Sequence, residues 1–274
     1  MTGKLPIAII IPHAGTQIPP ELVGRVALTD AQIFNEADAY ADLLYDFRGQ
    51  VQHWLCFPWA RAVIDVNRPP DAATNRPGDG IVKLRTSYGA PVYLPGRIPD
   101  EALTQRLVDQ YWQPWHEQLA FVAADPAVQL VIDAHTMAAF GPSQYDDPAQ
   151  PRPRLTLANW GGLDGGATQA FSNPTAPAAL LHAWAEKLGT LLADLPALTL
   201  TGLATALNTP FYGGADLRLH GGQRQPWLML EISRALYIGH QTGDTPVAPP
   251  DVGRIVAIRS RLWQGFSELM PPLV

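Results

Sequence analysis

The stretch VQLVIDAH, residues Val128–His135, is an aliphatic run that ends on a carboxylate and an imidazole. A run that is apolar on both faces is typical of a strand in a sheet covered by helices on both sides. Asp133 and His135 lie two positions apart, so their side chains face the same side of that strand. A carboxylate beside an imidazole can fix the tautomer of a metal-binding histidine. The stretch therefore predicts a central strand with a polar site at its end.

Other apolar runs predict the rest of a sheet, and amphipathic stretches between them predict helices. Strands are expected at Ile7–Pro12, Arg61–Asn67, Arg154–Ala158, Leu198–Leu203 and Trp227–Ile232. One helix is expected to begin after Thr29, where Gln32 completes a capping box and apolar positions recur as far as Phe47. Further helices are expected at Pro99–Ala124, at Ala176–Leu195 with Thr175 as N-cap, and at Val252–Leu269. The alternation predicts one α/β domain over residues 1–274, a three-layer sandwich with a central mixed, mostly parallel sheet.

Composition narrows the classes of function. The chain has 274 residues, 47% of them hydrophobic, so it can bury a substantial core. Its net charge is −6 and no run of lysines and arginines stands out, which argues against nucleic acid or an anionic membrane as partner. The single cysteine, Cys56, excludes an internal disulfide and a thiolate metal cage.

The first residues, MTGKLPIAIIIPHAG, contain an apolar run that is short for a signal sequence. No stretch reaches the roughly 18 apolar residues that are needed to span a bilayer. A lone cysteine also suits a reducing compartment. We therefore expect a cytoplasmic protein, and the sequence leaves its oligomeric state open.

Polar side chains recur where the predicted strands end. Open α/β sheets bind ligands at the carboxyl ends of their strands, so these side chains are expected to meet there. They are His13 after the first strand, Asn67 and Arg68 after the second, Asp133 and His135 on the third, and Glu231 on the last.

Two of these residues, His13 and His135, are candidate metal ligands. The plainer interpretation of His13 is a turn histidine that bonds to the backbone. Catalytic zinc typically takes three nitrogen or oxygen ligands from the protein and leaves one position open. The third ligand stays open on the residues alone, and the carboxylates in the right part of the chain are Glu21, Glu36, Asp38 and Asp42. Asp38 and Asp42 lie four apart on the predicted helix and would share a face, where a solvated carboxylate is the ordinary interpretation.

Glu231 lies in the apolar run Trp227–Ile232, where an ionised carboxylate is costly unless it is paired or functional. It is a candidate general base, and the competing interpretation is a structural ion pair with Arg234 or another arginine. Arg68 and Arg218 are candidates for binding carboxylates, because a guanidinium matches a carboxylate with two hydrogen bonds. Arg218, judged alone, is more typical of a surface residue.

Taken together, the segments resemble the N-formylglutamate amidohydrolase family, since the matching pieces run in order across most of the chain. The pieces are Pro12–Gly15 with Pro19 and Glu21, Asp38, Leu44–Phe47, Asp65–Arg68, Tyr111–His116 with Leu119, Asp133–Met137, Asn208–Phe211 with Gly213 and Gly214, and Glu231–Ile232 with Arg234, Leu236 and Tyr237. The resemblance implies a phosphorylase/hydrolase-like α/β sandwich that is distantly related to zinc carboxypeptidases.

The resemblance also implies roles for individual residues. His13, Asp38 and His135 would bind one divalent metal ion, for which zinc is expected from the ligand types. Glu231 would be the catalytic carboxylate, and Asp133 would support His135. Substrate would be held by Asn67, Arg68, His116, Gly214 and Arg218. The implied reaction is hydrolysis of the amide bond of N-formyl-L-glutamate or a similar small anionic N-acyl amino acid.

Three positions depart from the family pattern. Thr136 replaces the usual serine and keeps a hydroxyl. Leu219 and His220 stand where a histidine and a tyrosine are expected, and this change bears on the substrate specificity. One alternative is an amidase that acts on other N-acyl amino acids or on peptidoglycan-type amides. Another is a non-catalytic small-molecule binding protein on the same fold. Retention of both histidines, Asp38 and Glu231 argues against the binding protein.

Overall fold

The structure is a computed structural model that describes residues 3–70 and 78–270. These residues form a six-stranded sheet with the strand order β2-β1-β3-β6-β4-β5. The strands are β1 (Leu5–Ile11), β2 (Val51–Cys56), β3 (Leu130–Met137), β4 (Leu155–Ala158), β5 (Thr205–Leu207) and β6 (Trp227–Ser233). Strands β4 and β6 are antiparallel, and every other neighbouring pair is parallel.

Helices cover both faces of the sheet. They are α1 (Asp30–Glu36), α2 (Ala41–Leu44), α3 (Glu101–Leu107), α4 (Gln113–Ala124), α5 (Ala178–Leu192), α6 (Ala215–His220) and α7 (Val252–Leu269). A π-helical segment, Val108–Trp112, joins α3 to α4. Helices α2, α5 and α7 pack on one face with Ile7 and Ile9 of β1, while α3 and α4 pack on the other with Ala8 and Ile10. The expected three-layer α/β fold is confirmed.

Strands β1, β3 and β6 lie in the middle of the sheet, and every residue in them is buried. Their near-continuous apolar sequences follow from burial on both faces. The predicted strands at Ile7–Pro12, Val128–His135 and Trp227–Ile232 are confirmed, as is the closing helix Val252–Leu269. Among the described residues, no helix is long and apolar enough to cross a membrane.

The predicted strand Arg61–Asn67 is wrong, because this segment forms turns and makes a single bridge between Ile64 and Val82. Its apolar side chains are buried in the core beneath α3 and α4, so the run reflects a buried loop and not strand pairing. The second strand of the sheet is Val51–Cys56 instead. That strand is at an edge and is only half-buried, which explains its mixed sequence VQHWLC.

Two further expectations are corrected at the other end of the sheet. Leu198–Leu203 is not a strand, and Leu200 and Leu203 are each 65% exposed; the edge strand is the short β5 that follows. Thr175 is not the N-cap of α5, a position that Pro177 takes. The Thr175 hydroxyl instead donates a hydrogen bond of 2.8 Å to the backbone oxygen of Trp227. This bond attaches the segment that precedes α5 to strand β6.

The helix that begins after Thr29 has the expected capping box, in which Thr29 and Gln32 exchange hydrogen bonds of 3.3 and 3.0 Å. It ends at Glu36, however, and a new helix starts at Ala41. The backbone N–H of Asp38 donates to the carbonyl of His13 at 3.0 Å, and Tyr40 has a left-handed φ of 62°. Asp38 therefore lies in a break between two helices, and the expectation that it shares a helix face with Asp42 is wrong.

Candidate metal centre and active-site cavity

His13, Asp38 and His135 converge at the carboxyl ends of β1 and β3. All three are buried, and one ligand atom from each lies within 4.8 Å of the other two. Asp38 Oδ2 is 2.9 Å from His135 Nδ1 and 3.8 Å from His13 Nδ1. Of the four carboxylates that the sequence left open, Asp38 is the one that joins the two histidines.

The other three carboxylates are held elsewhere. Glu36 forms a buried ion pair of 2.9 Å with Lys83 and accepts the backbone N–H of Ser87 at 2.8 Å. Glu21 accepts the hydroxyl of Tyr111 at 2.7 Å. Asp42 lies in α2 and does not line the cavity described below.

Each histidine of the centre has its second ring nitrogen on a carboxylate. His13 Nε2 lies 2.8 Å from Asp65 Oδ1, and His135 Nε2 lies 2.9 Å from Asp133 Oδ1. This leaves both Nδ1 atoms for the centre, and His13 Nδ1 is buried with no hydrogen-bond partner among the described residues. Carboxylates behind histidine ligands are the usual support of a protein metal site. The donor set of two imidazoles and one carboxylate therefore fits a divalent cation such as zinc.

Asp65 is a site residue that the sequence reasoning missed, although the Asp65–Arg68 segment was part of the matching series. Burial would raise the pKa of Asp65, but His13, Arg68 and Arg61 hold it well below its ordinary value. Arg61 contacts it at 3.0 Å and the backbone N–H of Asn67 donates to it at 3.0 Å. Asp65 could have been identified from the sequence, because it is an acidic residue inside the apolar run RAVIDVN. The same kind of signal identified Glu231 as a candidate.

Protonation of the two histidines differs. Burial, and then the charge of Arg61, lowers the pKa of His13 to about 4, so its ring is neutral, as a ligand must be. Burial also disfavours a charge on His135, but Asp133 and Asp38 raise its pKa well above the ordinary value. The centre thus holds an excess of negative charge around His135, which is an environment that attracts a cation.

Glu231 is the remaining carboxylate of the centre. It pairs in register with His135 across β6 and β3, and its Oε2 is buried with no hydrogen-bond partner among the described residues. The competing ion pair with Arg234 is absent among them, because Arg234 donates to the backbone oxygens of Asn35 and Ala37. Burial raises the pKa of Glu231 to about 7, which suits a group that takes up and returns a proton near neutral pH.

A cavity of about 440 Å³ opens onto these groups. That volume is in the range of small-molecule sites. Its lining includes His13, Asp38, His135, Glu231, Asn67, Arg68, Gly214 and Arg218. The structure therefore brings together the predicted residues of the site, except for two that lie behind the wall. Asp133 is one, and it contacts the far side of His135.

His116 is the other predicted residue outside the cavity lining. Its Nε2 lies 2.9 Å from the backbone oxygen of Val66 and its Nδ1 lies 2.9 Å from His220 Nε2. Because a carbonyl can only accept, Nε2 carries the proton and His116 supports the segment that precedes Asn67. Leu219 and His220, the two departures from the family pattern, do not line the cavity either.

The arginines of the cavity differ in how they are engaged. Arg68 donates to Asp79 at 2.9 Å, whereas Arg218 is exposed and makes no hydrogen bond or ion pair with a described residue. Arg152, which sequence reasoning missed, is buried, pairs with Asp147 through two hydrogen bonds of 2.7 and 3.0 Å, and lies over the ring of Phe211. Among the described arginines of the cavity, Arg218 is therefore the one without a protein partner.

Asn67 is positioned by the start of α6. Its side-chain oxygen accepts the N–H of Asp216 at 2.9 Å, and its backbone oxygen accepts the N–H of Ala215 at 3.0 Å. A Cβ atom at Gly214 would lie 2.2 Å from the side-chain oxygen of Asn67. Gly214 is therefore required by close packing against Asn67, in addition to lining the cavity.

We expect Gly214→Ala to lower the stability of the folded protein by about 1–3 kcal/mol, the usual cost of overpacking a filled site. The added methyl group must displace Asn67, so activity should fall as well. Thermal unfolding checks the stability. Gly253→Ala is the matched control, because a Cβ there would meet Asp251 Oδ1 at 3.5 Å, an ordinary van der Waals contact. Equal melting temperatures for the two variants would contradict the packing argument.

Fold and site together define a class: an α/β protein with a donor set for a divalent cation at the carboxyl ends of parallel strands. Beside the donor set lies a buried carboxylate that has no partner in the part of the chain that the structure describes. The model of the N-formylglutamate amidohydrolase family matches residues 5–238. This match covers most of the sequence, and the chain belongs to the N-formylglutamate amidohydrolase family.

The chain is also similar to individual proteins. The chain is 26% identical over 245 residues to N-formylglutamate deformylase from Pseudomonas putida, which covers 86% of this chain and 83% of that protein. Its fold is similar to the crystal structure of N-formylglutamate amidohydrolase from Ralstonia eutropha JMP134, with a TM-score of 0.69, 20% identity, and coverage of 97% and 95% of the two chains. The gene product Atu2144 from Agrobacterium tumefaciens is similar too, with a TM-score of 0.63, 17% identity, and coverage of 97% and 91%.

Proposed function

We propose that this single catalytic domain hydrolyses the amide bond of N-formyl-L-glutamate or a closely related N-acyl amino acid, using one divalent metal ion, for which zinc is expected. The observation that carries the proposal is the group His13, Asp38 and His135 in one cavity with Glu231, which has no hydrogen-bond partner within residues 3–70 and 78–270. Family membership and the named deformylase from Pseudomonas putida support the same substrate class.

A divalent cation on this donor set would supply Lewis-acid chemistry that polarises the scissile carbonyl and activates water. Glu231 takes a proton from the attacking water and delivers it to the leaving nitrogen, so the C–N bond breaks to give the carboxylic acid and the free amine. The carboxylate has no competing partner among the described residues, and the raised pKa lets it act in both directions. Its burial in the cavity wall fixes it beside the reacting group.

Arg218 and Arg68 are proposed to hold the carboxylates of the substrate. Arg218 is unpartnered among the described residues, and Arg68 has an exposed side-chain fraction of 20% while bonded to Asp79. Binding at a distance from the scissile bond orients the substrate and discriminates against uncharged amides. Asn67, held by the start of α6, lines the same wall.

The alternative of a non-catalytic binding protein is disfavoured by Glu231. A buried carboxylate without a partner is costly, and a protein that only binds gains nothing from keeping it. The alternative of an amidase for peptidoglycan-type amides is disfavoured by the cavity, whose volume of about 440 Å³ suits a small molecule.

The test is formate release from N-formyl-L-glutamate by the purified protein, with and without a metal chelator. We expect release that the chelator abolishes and that added zinc restores. Release that survives complete removal of metal would overturn the metal dependence. A metal-loaded protein that releases no formate would overturn this substrate and leave other N-acyl amino acids to be tried.

A further inference from the structure

Three aromatic side chains line the part of the cavity wall that the proposed reaction does not use. They are Trp160, Phe171 and Tyr212, and we call them the aromatic wall. Their ring centroids lie 5.7, 5.2 and 4.9 Å apart, so each ring contacts the other two. Trp160 and Phe171 are half-buried and Tyr212 is 45% exposed. Contiguous aromatic surface in a cavity is typical of a site that binds an apolar part of a ligand.

The backbone holds this wall in place. Trp160 has a φ of 55°, an uncommon conformation for a bulky residue, and its N–H donates to the backbone oxygen of Tyr212 at 3.0 Å. A Cβ at Gly213 would lie 3.1 Å from the Trp160 ring, so a glycine is needed where the two segments meet. Strained residues of this kind persist where the surrounding structure imposes them, and they cluster at ligand sites.

The charges of the described cavity lining leave one arginine without a partner, which is sufficient to bind a ligand that carries a single carboxylate. The described part of the chain contributes five arginines to the cavity lining, and four of them have partners there, namely Asp65, Asp79, Asp147 and the backbone oxygens of Asn35 and Ala37. Arg218 alone is unpartnered there. It lies one helical turn beyond Gly214 and therefore belongs to the same segment as Tyr212 and Gly213. A cation with no partner among the described residues and an aromatic surface therefore line the same cavity.

We infer that the site accepts N-acyl amino acids that carry an aromatic substituent, which packs on the aromatic wall while Arg218 binds the single carboxylate. The inference rests on the proposed amide hydrolysis and names its substrate class more closely. The aromatic ring can come from the amino acid side chain or from the acyl group. N-formyl-L-phenylalanine represents the first source and N-benzoylglycine the second.

The experiment compares kcat/KM for these two amides and for N-formyl-L-glutamate in the wild-type protein and in Phe171→Ala. We expect Phe171→Ala to lower kcat/KM for the preferred aromatic amide about tenfold more than for N-formyl-L-glutamate, a ratio in line with the strength of a ring–ring contact. Phe121→Ala is the matched control, since Phe121 is 68% exposed and lies outside the cavity lining. In Phe121→Ala, the ratio of kcat/KM for the aromatic amide to kcat/KM for N-formyl-L-glutamate should be the same as in the wild-type protein.

If Phe171→Ala lowers kcat/KM by the same factor for all three amides, or leaves kcat/KM unchanged for all three, the inference is overturned. The inference also fails if the wild-type protein releases formate from N-formyl-L-glutamate and hydrolyses neither aromatic amide, in which case the proposed function stands. The aromatic amide that is hydrolysed identifies which source supplies the ring.

Calorimetric titration measures ligand binding and therefore tests the inference without requiring catalysis. If none of the three amides is hydrolysed by the metal-loaded protein, the proposed function fails but affinity still decides the inference. Binding of N-formyl-L-phenylalanine or N-benzoylglycine that is about tenfold weaker in Phe171→Ala than in the wild-type protein would support the aromatic wall. Equal affinity in the two proteins, or no binding to either, would overturn it.

Discussion

Replacing Glu231 with glutamine is expected to lower kcat for amide hydrolysis by about 10²–10⁴-fold, the contribution of a positioned general base. Glutamine has the same shape and keeps its place on β6 beside His135, but it cannot accept the proton of the attacking water. The substitution also removes a buried carboxylate that has no partner among the described residues, so the fold should not be destabilised. Turnover of N-formyl-L-glutamate and melting temperature are the measurements.

The metal content of the same variant decides between two roles for Glu231. We expect Glu231→Gln to bind as much zinc per chain as the wild-type protein, because His13, Asp38 and His135 remain. Loss of metal together with turnover would show that Glu231 is a ligand and not the proton carrier. Glu186→Gln is the control, since Glu186 is exposed on α5 and should change neither quantity.

The central strands and most of their polar ends were predictable because burial on both faces leaves a direct mark on the sequence. Val128–His135 and Trp227–Ile232 are aliphatic where they cross the sheet and polar where they leave it, and the structure places His135 and Glu231 side by side. The same rule failed for Arg61–Asn67, which is buried as a loop. An apolar run reports burial, and it does not report which backbone pairs with it.

The residues alone left four carboxylates as candidates for the third metal ligand, and the structure places Asp38 beside the two histidines. Apolar residues continue at helical spacing across the break between α1 and α2, so the pattern conceals the interruption. A long-range contact lies at the break, the hydrogen bond from the Asp38 N–H to the carbonyl of His13. A local pattern carries no information about a bond to another segment, which is why the residues of such sites are hard to choose.

Other parts of the site depend on partners that are far apart in the chain. Lys83 neutralises Glu36 from 47 positions away, and the His13 ring is oriented by Asp65 from 52 positions away. The aromatic wall likewise combines Trp160 and Phe171 with Tyr212. Sequence reasoning found the groups at strand ends because sheet topology gathers them, and it missed Asp65, Arg152 and the aromatic wall because loops bring them in.

Asp38→Asn is expected to weaken zinc binding by more than about 100-fold and to remove chelator-sensitive activity, since loss of a residue behind a ligand already costs about 10–100-fold. Asparagine keeps an oxygen that can accept the N–H of Thr136, which donates to Asp38 at 3.2 Å, so the local fold should persist. The anionic donor between the two histidines is lost. Zinc bound per chain after dialysis, and hydrolysis of N-formyl-L-glutamate, are the measurements.

The control is Asp42→Asn, which removes a carboxylate from α2, a helix that begins three residues after Asp38, and leaves the cavity lining intact. Stability provides a second readout that does not need turnover: a ligand at 100 times its dissociation constant stabilises the native state by about 2.7 kcal/mol. Added zinc should therefore raise the melting temperature of the wild-type protein and of Asp42→Asn, but not that of Asp38→Asn. If zinc stabilises all three proteins equally, Asp38 does not hold the metal, and the donor set must be completed by another carboxylate of the cavity, of which Glu231 lies beside His135.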